Sequence, residues 1–231
     1  MTTRTERGAR YAPLSSALTT IFRGKLCDTV VRRHSAVAFD KGQVIHDIED
    51  GNQSFFFIQS GFVKVGTIAE DGRELIYDVR KSGDIVGELC ASDQPRQDRA
   101  VALERTEVVA VPLDEVLEIV QKDRDLLRQF VQRFCDSLSD AYDQLNSVAF
   151  ADSVHRLVAV LVRLGKQLGR DAGRVTEITT YLTQEELSQM VAVRRERIST
   201  AMNLLRDRGM VNYSRRGHLL LDLKALEAYG E

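Results

Sequence analysis

The chain has 231 residues, 43% of them hydrophobic and 29% charged, with 32 Lys and Arg against 34 Asp and Glu for a formal charge of −2. That balance excludes a chain too polar to fold, and at about 150 residues per domain the length holds one large domain or two small ones. The longest apolar runs, residues 55–58 and 157–162, fall far short of the roughly 20 residues that cross a bilayer. No apolar stretch follows Arg4, Arg7 and Arg10, so neither a membrane partner nor a secretory signal is expected and the protein is placed in the cytoplasm. Cys27, Cys90 and Cys135 are dispersed and odd in number, which fits reduced thiols. Together with His34, His46, His155 and His218 they form no Cys-x-x-Cys or His-x-x-x-His spacing, so no metal site is expected.

From about residue 30 to 112, short apolar stretches alternate with Gly42, Gly51, Gly61, Gly66, Gly72, Gly83 and Gly87. The stretches at 55–58, 62–65, 75–79 and 108–111 are β-branched or aromatic, which predicts strands of an antiparallel sandwich or roll. Asp71-Gly72 between two of them signals a hairpin, because glycine tolerates the positive φ of a tight turn.

After Pro112, apolar residues recur at Leu127, Val131, Phe134, Leu138, Ala141, Leu145 and Val148, alternating steps of four and three. This is the seam of a long helix, and Leu126 and Phe130 beside it form a second stripe that faces the sheet. The seam is either a subunit interface or one side of a helix buried on both sides within a monomer. A further helix carries Val154, Leu157, Val158, Leu161, Val162 and Leu164 up to a break at Gly165 and Gly169, and a glycine-rich, charged linker is expected through Gly173.

Residues 182–209 read as two helices joined by a tight turn. Thr183 and Glu186 make a capping box for the first, each satisfying a backbone N–H that the helix leaves unpaired. The second starts near Arg194 and places Ile198, Ala201, Met202 and Leu205 on one buried stripe, so Arg195, Glu196, Ser199 and Thr200 project from the opposite face. Gly209 ends it, and residues 210–221 form a hairpin whose turn carries Arg215 and Arg216. Between Arg194 and Arg216 stand seven arginines (194, 195, 197, 206, 208, 215 and 216) against Glu196 and Asp207. Such a stripe is either a solvated surface or a face that meets a polyanion. Helix, turn, polar second helix and basic hairpin in that order predict a winged helix-turn-helix whose second helix enters the DNA major groove. The α+β fold expected is a β-roll over 1–112 including an N-terminal arm, a short and a long helix over 113–150, and the winged unit over 151–231.

Several segments carry a resemblance: residues 55–65, Asp71-Gly72-Arg73-Glu74-Leu75, Ser82-Gly83-Asp84-Ile85-Val86-Gly87-Glu88-Leu89, Ala149-Phe150 with Asp152, and Leu182-Thr183-Gln184-Glu185-Glu186-Leu187. From about residue 30 to 225 the chain resembles the cyclic-AMP receptor protein and fumarate-nitrate regulator superfamily of bacterial transcription factors. The resemblance implies a homodimer on a palindromic double-stranded DNA operator, no catalysis, and RNA polymerase as a further candidate partner. It carries Arg194, Arg195, Glu196, Arg197, Ser199 and Thr200, with Thr183, Arg215 and Arg216, over as DNA contacts.

In the nucleotide-binding relatives, a Gly-Glu-Leu segment and a following Arg hold the cyclic phosphate. Gly87, Glu88, Leu89, Cys90, Arg96, Gln97 and Arg99, with Ala141 and Tyr142 on the long helix, stand at the corresponding pocket positions. Arg96-Gln97-Asp98 departs from the family's Arg-Ser-Ala or Arg-Thr-Ala, and Ala141 and Tyr142 lack the hydroxyl pair that meets adenine. Cyclic AMP is therefore disfavoured, Asp98 is expected to pair with Arg96 or Arg99, and the effector is unknown. If Arg99-Ala100 is the true cassette pair, the objection from Asp98 softens. Alternatively, the Gly83 to Leu89 turn serves only to close the β-roll. An iron-sulphur cluster is not expected with one cysteine near the N-terminus, and a haem gas sensor would draw on His34, His46, Cys90 or Cys135. The competing function is a cyclic-nucleotide-binding regulatory subunit, against which an arginine-tipped wing argues.

Overall fold

A computed structural model describes residues 33–91 and 95–230; the expected N-terminal arm through residue 32, with Cys27, lies outside the described residues. Eight strands come first: β1 (Val37–Phe39), β2 (Val44–His46), β3 (Ser54–Ser60), β4 (Phe62–Ile68), β5 (Glu74–Lys81), β6 (Ile85–Val86), β7 (Arg99–Ala102) and β8 (Thr106–Pro112). Helices α1 (Leu113–Gln121), α2 (Arg124–Phe150) and α3 (Ser153–Leu168) follow. The chain ends with β9 (Arg170–Asp171), β10 (Thr176–Ile178), α4 (Gln184–Val191), α5 (Arg195–Asp207), β11 (Val211–Tyr213), β12 (Leu219–Leu221) and α6 (Leu223–Gly230).

The first eight strands form two open antiparallel sheets, ordered β1-β8-β3-β6 and β2-β7-β4-β5. Because side chains alternate along a strand, β3 buries Phe56 and Ile58 between the sheets with Val63, Val65, Val86 and Val108. It turns Phe55 and Phe57 outward onto Val116 and Val120 of α1 and Leu126 of α2. A strand covered on both faces needs an unbroken apolar run, which explains Phe55-Phe56-Phe57-Ile58. The β4–β5 hairpin turns where expected, with Gly72 at φ +81 donating its N–H to the carbonyl of Ala69 (2.9 Å).

Asp123 caps α2 by accepting from the N–H groups of Asp125 and Leu126 (3.0 and 3.1 Å), and its 27 residues give a rod of about 40 Å. Leu126 and Phe130 take the sheet side as expected, Phe130 meeting Phe55 edge-on at 6.0 Å. The seam residues Leu127, Val131, Phe134, Leu138, Ala141, Leu145 and Val148 are all exposed in the protomer.

Two expectations for the third segment are corrected. Gly165 does not break α3, which runs through it to Leu168; a Cβ there would lie 2.5 Å from Leu223 Cδ2, so the glycine admits α6 at close range. Residues 170–178 are not a plain linker either. They supply β9 and β10, which extend the β11–β12 hairpin into a four-stranded sheet ordered β11-β12-β10-β9. α6, which the sequence pattern did not announce, buries Leu226 against this unit. The core of the C-terminal half, centred on Leu157, Leu161, Leu187, Ile198 and Leu205, also takes in Ile76, Val79 and Leu103 from the β-roll.

Candidate DNA interface and effector pocket

The capping box at the start of α4 is complete: the Thr183 hydroxyl accepts from the Glu186 N–H (3.1 Å) and the Thr183 N–H donates to Glu186 Oε2 (2.7 Å). Ala192 closes α4 in the left-handed region, at φ 55, and so produces the tight turn before α5. Ile198, Ala201, Met202 and Leu205 are buried as the spacing predicts. Arg194, Arg195, Glu196, Arg197 and Thr200 are exposed and Ser199 is half-buried. The Thr200 hydroxyl donates back to the Glu196 carbonyl (3.1 Å), which leaves only its oxygen lone pairs for a partner.

At the wing, the Ser214 N–H donates to the His218 carbonyl (2.8 Å) and the Ser214 hydroxyl accepts from the N–H groups of Arg216 and His218 (3.3 and 3.1 Å). That local network holds the turn and leaves Arg215 and Arg216 exposed at its tip. The seven-arginine stripe is not uniform. Arg206 lies over the Tyr213 ring (5.7 Å) and Arg208 over Tyr229 (4.9 Å), so both guanidinium groups stack on the domain's own aromatics. The arginines at 194, 195, 197, 215 and 216 carry no such internal contact among the described interactions.

The second site surrounds Gly87, whose φ is +93 and whose added Cβ would meet Ser54 O at 3.0 Å and Arg96 Nη1 at 3.1 Å. Only glycine combines that backbone with such close approach. Arg96 is 2% exposed and directed inward: Nη2 donates to the carbonyls of Asn52 and Ser54 (2.9 and 3.3 Å), while Nη1 lies 3.8 Å from Asp98 Oδ1. The expected pairing of Asp98 with Arg96 is therefore present at ion-pair distance. Burial pushes the Asp98 carboxyl up to about 6 despite the opposing charge of Arg96.

His46 completes this group, a residue the sequence reading singled out only as a haem ligand. It is buried, stacks on Phe56 at 5.5 Å and places Nε2 3.9 Å from Asp98 Oδ2. Burial, then the charge of Arg96, lowers its pKa to about 4. Both His46 ring nitrogens, Arg96 Nε and Nη1, and Asp98 Oδ1 are buried without a hydrogen-bond partner among the described residues.

Of the remaining pocket candidates, Glu88 and Cys90 stay near the Arg96 and Asp98 pair and the others disperse. Glu88 opens a 3-10 turn, Glu88–Ala91, and approaches Arg80; Leu89 is exposed; Cys90 is buried with its thiol pushed up by desolvation. Gln97 is exposed, and Arg99 turns away to Asp47 Oδ2 (3.3 Å). Ala141 and Tyr142 lie on the exposed face of α2 rather than among the buried side chains around Arg96. Of the candidate haem ligands, His34 holds Glu115 at 2.7 Å and Cys135 is exposed on α2, whereas His46 and Cys90 are buried near Arg96. Among the described residues no group of three His, Cys, Asp or Glu is placed to hold a metal ion, and no helix is long and apolar enough to cross a membrane.

Comparison with known proteins matches this geometry. Residues 36–123 fit the model of the cyclic nucleotide-binding domain and residues 155–229 that of the Crp-like helix-turn-helix domain. The chain is 26% identical to the CRP-like cAMP-activated global transcriptional regulator of Mycobacterium tuberculosis, covering 82% of this chain and 85% of that protein. It is 24% identical to the anaerobic regulatory protein of Bacillus subtilis, covering 73% and 72%. Among solved structures, a CooA mutant from Carboxydothermus hydrogenoformans superposes with a TM-score of 0.75 at 20% identity over 93% of this chain and 95% of that one. FixK2 from Bradyrhizobium japonicum gives 0.74 at 17% identity over 84% and 96%. With residues 36–123 matching the cyclic nucleotide-binding domain and residues 155–229 the Crp-like helix-turn-helix domain, the chain belongs to the Crp/Fnr superfamily of transcription regulators.

Proposed function

We propose that the protein binds a palindromic operator as a homodimer, pairing the α2 seams and inserting α5 of each protomer into the major groove. The observation that carries this reading is the division of α5 into a buried apolar stripe and an exposed face of Arg195, Glu196 and Arg197, with Arg194 exposed at its N-cap. An Arg donates bidentately to guanine O6 and N7 and a Glu accepts from cytosine N4, so Arg195 and Glu196 are the base readers. Ser199 and Thr200 border them. Arg215 and Arg216 contact phosphates, as does the N-terminal turn of α4 at Thr183. Selection from a random DNA pool tests this: the wild type enriches a two-fold symmetric sequence, and an unchanged base preference in Arg195→Ala removes that residue from the readout.

The β-roll sets this activity through an effector other than cyclic AMP, although the Mycobacterium tuberculosis relative is named as cAMP-activated. A cyclic phosphate would have to share Arg96 with the Asp98 carboxylate already beside it. At about 5 Å and an effective dielectric near 20, two like charges repel by roughly 3 kcal/mol. Isothermal titration with cyclic AMP and cyclic GMP decides the matter, and low-micromolar binding of either overturns this part of the reading.

A further inference from the structure

Arg80, next to last in β5, lies where the β-roll meets the C-terminal half of the same protomer. Its side chain is only 14% exposed, with Nε 3.1 Å from Asp78 Oδ2 and Nη2 3.6 Å from Glu88 Oε1. The closer approach is ionic, since the Nε–H does not point at the oxygen. Asp84 and Asp140 of α2 are its next acidic neighbours, and together these carboxylates outweigh the desolvation of the guanidinium and raise its pKa. Asp78 Oδ2 has a second partner, Gln167 Nε2 at 3.3 Å. Lys81 Nζ donates to the Gln167 carbonyl, one of the last carbonyls of α3 that a helix leaves without an internal partner. A continuous run, Glu88 to Arg80 to Asp78 to Gln167, thus connects the Gly-Glu-Leu segment to the first helix of the winged unit. Ile76 and Val79 of the same strand are buried in the C-terminal core, so β5 and α3 are held together apart from this run.

We propose that Arg80 is a positioning residue that couples Glu88 to the end of α3, so that whatever engages Glu88 changes how the DNA-binding half is held. The inference rests on the reading that Glu88 belongs to the effector pocket and the winged unit binds DNA. Its physical basis is the sharing of atoms. Arg80 divides its charge between Glu88 and Asp78, and Asp78 divides one oxygen between Arg80 and Gln167. Loss of Glu88 commits Arg80 to Asp78 and weakens the claim of Gln167 on that oxygen.

The test uses the full chain with Glu88→Gln, Gln167→Ala and the double variant, each checked for folding by circular dichroism. Amide hydrogen exchange across residues 163–170 reads the coupling without DNA: Glu88→Gln speeds exchange there at least threefold, and an unchanged rate overturns the proposal. Affinity for a labelled duplex carrying the selected operator reads it a second time. Glu88→Gln changes the dissociation constant at least threefold, and that change disappears in the Gln167→Ala background; effects that simply multiply overturn the proposal. If Glu88→Gln does not fold, Gln167→Ala probes the run from the other end, and exchange of the 85–91 amides must then respond. A failure to select any operator refutes the DNA-binding reading while the exchange measurement still judges the coupling.

Discussion

The exposed seam on α2 permits a quantitative prediction for the variant Leu138→Ala/Leu145→Ala. Leu138 and Leu145 are 53% and 65% exposed in the protomer. Burying a leucine side chain completely stabilises by about 1.5–3 kcal/mol, so covering the remaining half or more contributes about 1–1.5 kcal/mol for each. An alanine retains about a third of that. Two positions on each of two protomers then cost about 3–4 kcal/mol of association energy, which raises the dimer dissociation constant by roughly 10²–10³-fold. Both side chains face solvent in the protomer, so the monomer should fold and melt much as before. Sedimentation velocity across a dilution series measures the shift. The seam is refuted as the interface if the variant sediments with the wild-type coefficient at every concentration. A wild type that is monomeric at concentrations about 100-fold above its operator dissociation constant would refute the dimer itself.

Three further outcomes follow from particular contacts. The neutral His46 ring is favoured by folding, since its pKa falls from 6.5 to about 4; a lowered pKa contributes stability above pH 6.5 that is lost on acidification, so urea unfolding should show the wild type losing about 2 kcal/mol relative to His46→Gln between pH 7 and pH 5. Replacing both Arg215 and Arg216 with alanine removes four phosphate contacts from the dimer, so it should weaken operator and random DNA alike and lower the slope of log affinity against log salt by about 3–4, and an unchanged slope removes the wing from the phosphate contacts. Ala192 holds a left-handed turn at φ 55, so Ala192→Gly should stabilise the fold by about 0.5–1 kcal/mol, seen as a melting temperature raised by a few degrees; a lowered melting point contradicts strain at that turn.

Much of the architecture was legible because it rests on periodicity. The apolar run 55–58 marks a doubly covered strand, the 4-3 spacing marks the α2 seam, and Thr183 with Glu186 marks the start of α4. What escaped had no periodic signal. β9 and β10 are two and three residues long and contain Arg170, Asp171, Thr176 and Glu177, which alternation cannot distinguish from a loop. Gly165 reads as a break by composition, and only the approach of Leu223 reveals it as a packing site. The stacking of Arg206 and Arg208 on Tyr213 and Tyr229 is likewise tertiary, so the charge count overstated the face available to DNA.

The effector pocket illustrates a different limit. Gly87-Glu88-Leu89 followed by Arg96 matches the relatives' cassette in letters, yet the structure turns the Arg96 guanidinium toward the carbonyls of Asn52 and Ser54 and the carboxylate of Asp98. An intramolecular carboxylate has a standing advantage over a free anion, because its association entropy is already spent in folding. At 3.8 Å and an effective dielectric near 20 its attraction to Arg96 is about 4 kcal/mol, which a monoanionic phosphate must match while also displacing it. The carboxyl is nonetheless poorly solvated, as its pKa near 6 records, and His46, neutral beside it, offers no second positive charge. A ligand that succeeds here must therefore relieve Asp98 as well as engage Arg96, and a donor directed at the carboxylate or a proton delivered to it does so where a bare phosphate does not. On the proposed reading, the residue that opposes a cyclic phosphate also sets the chemistry of the ligand that takes its place.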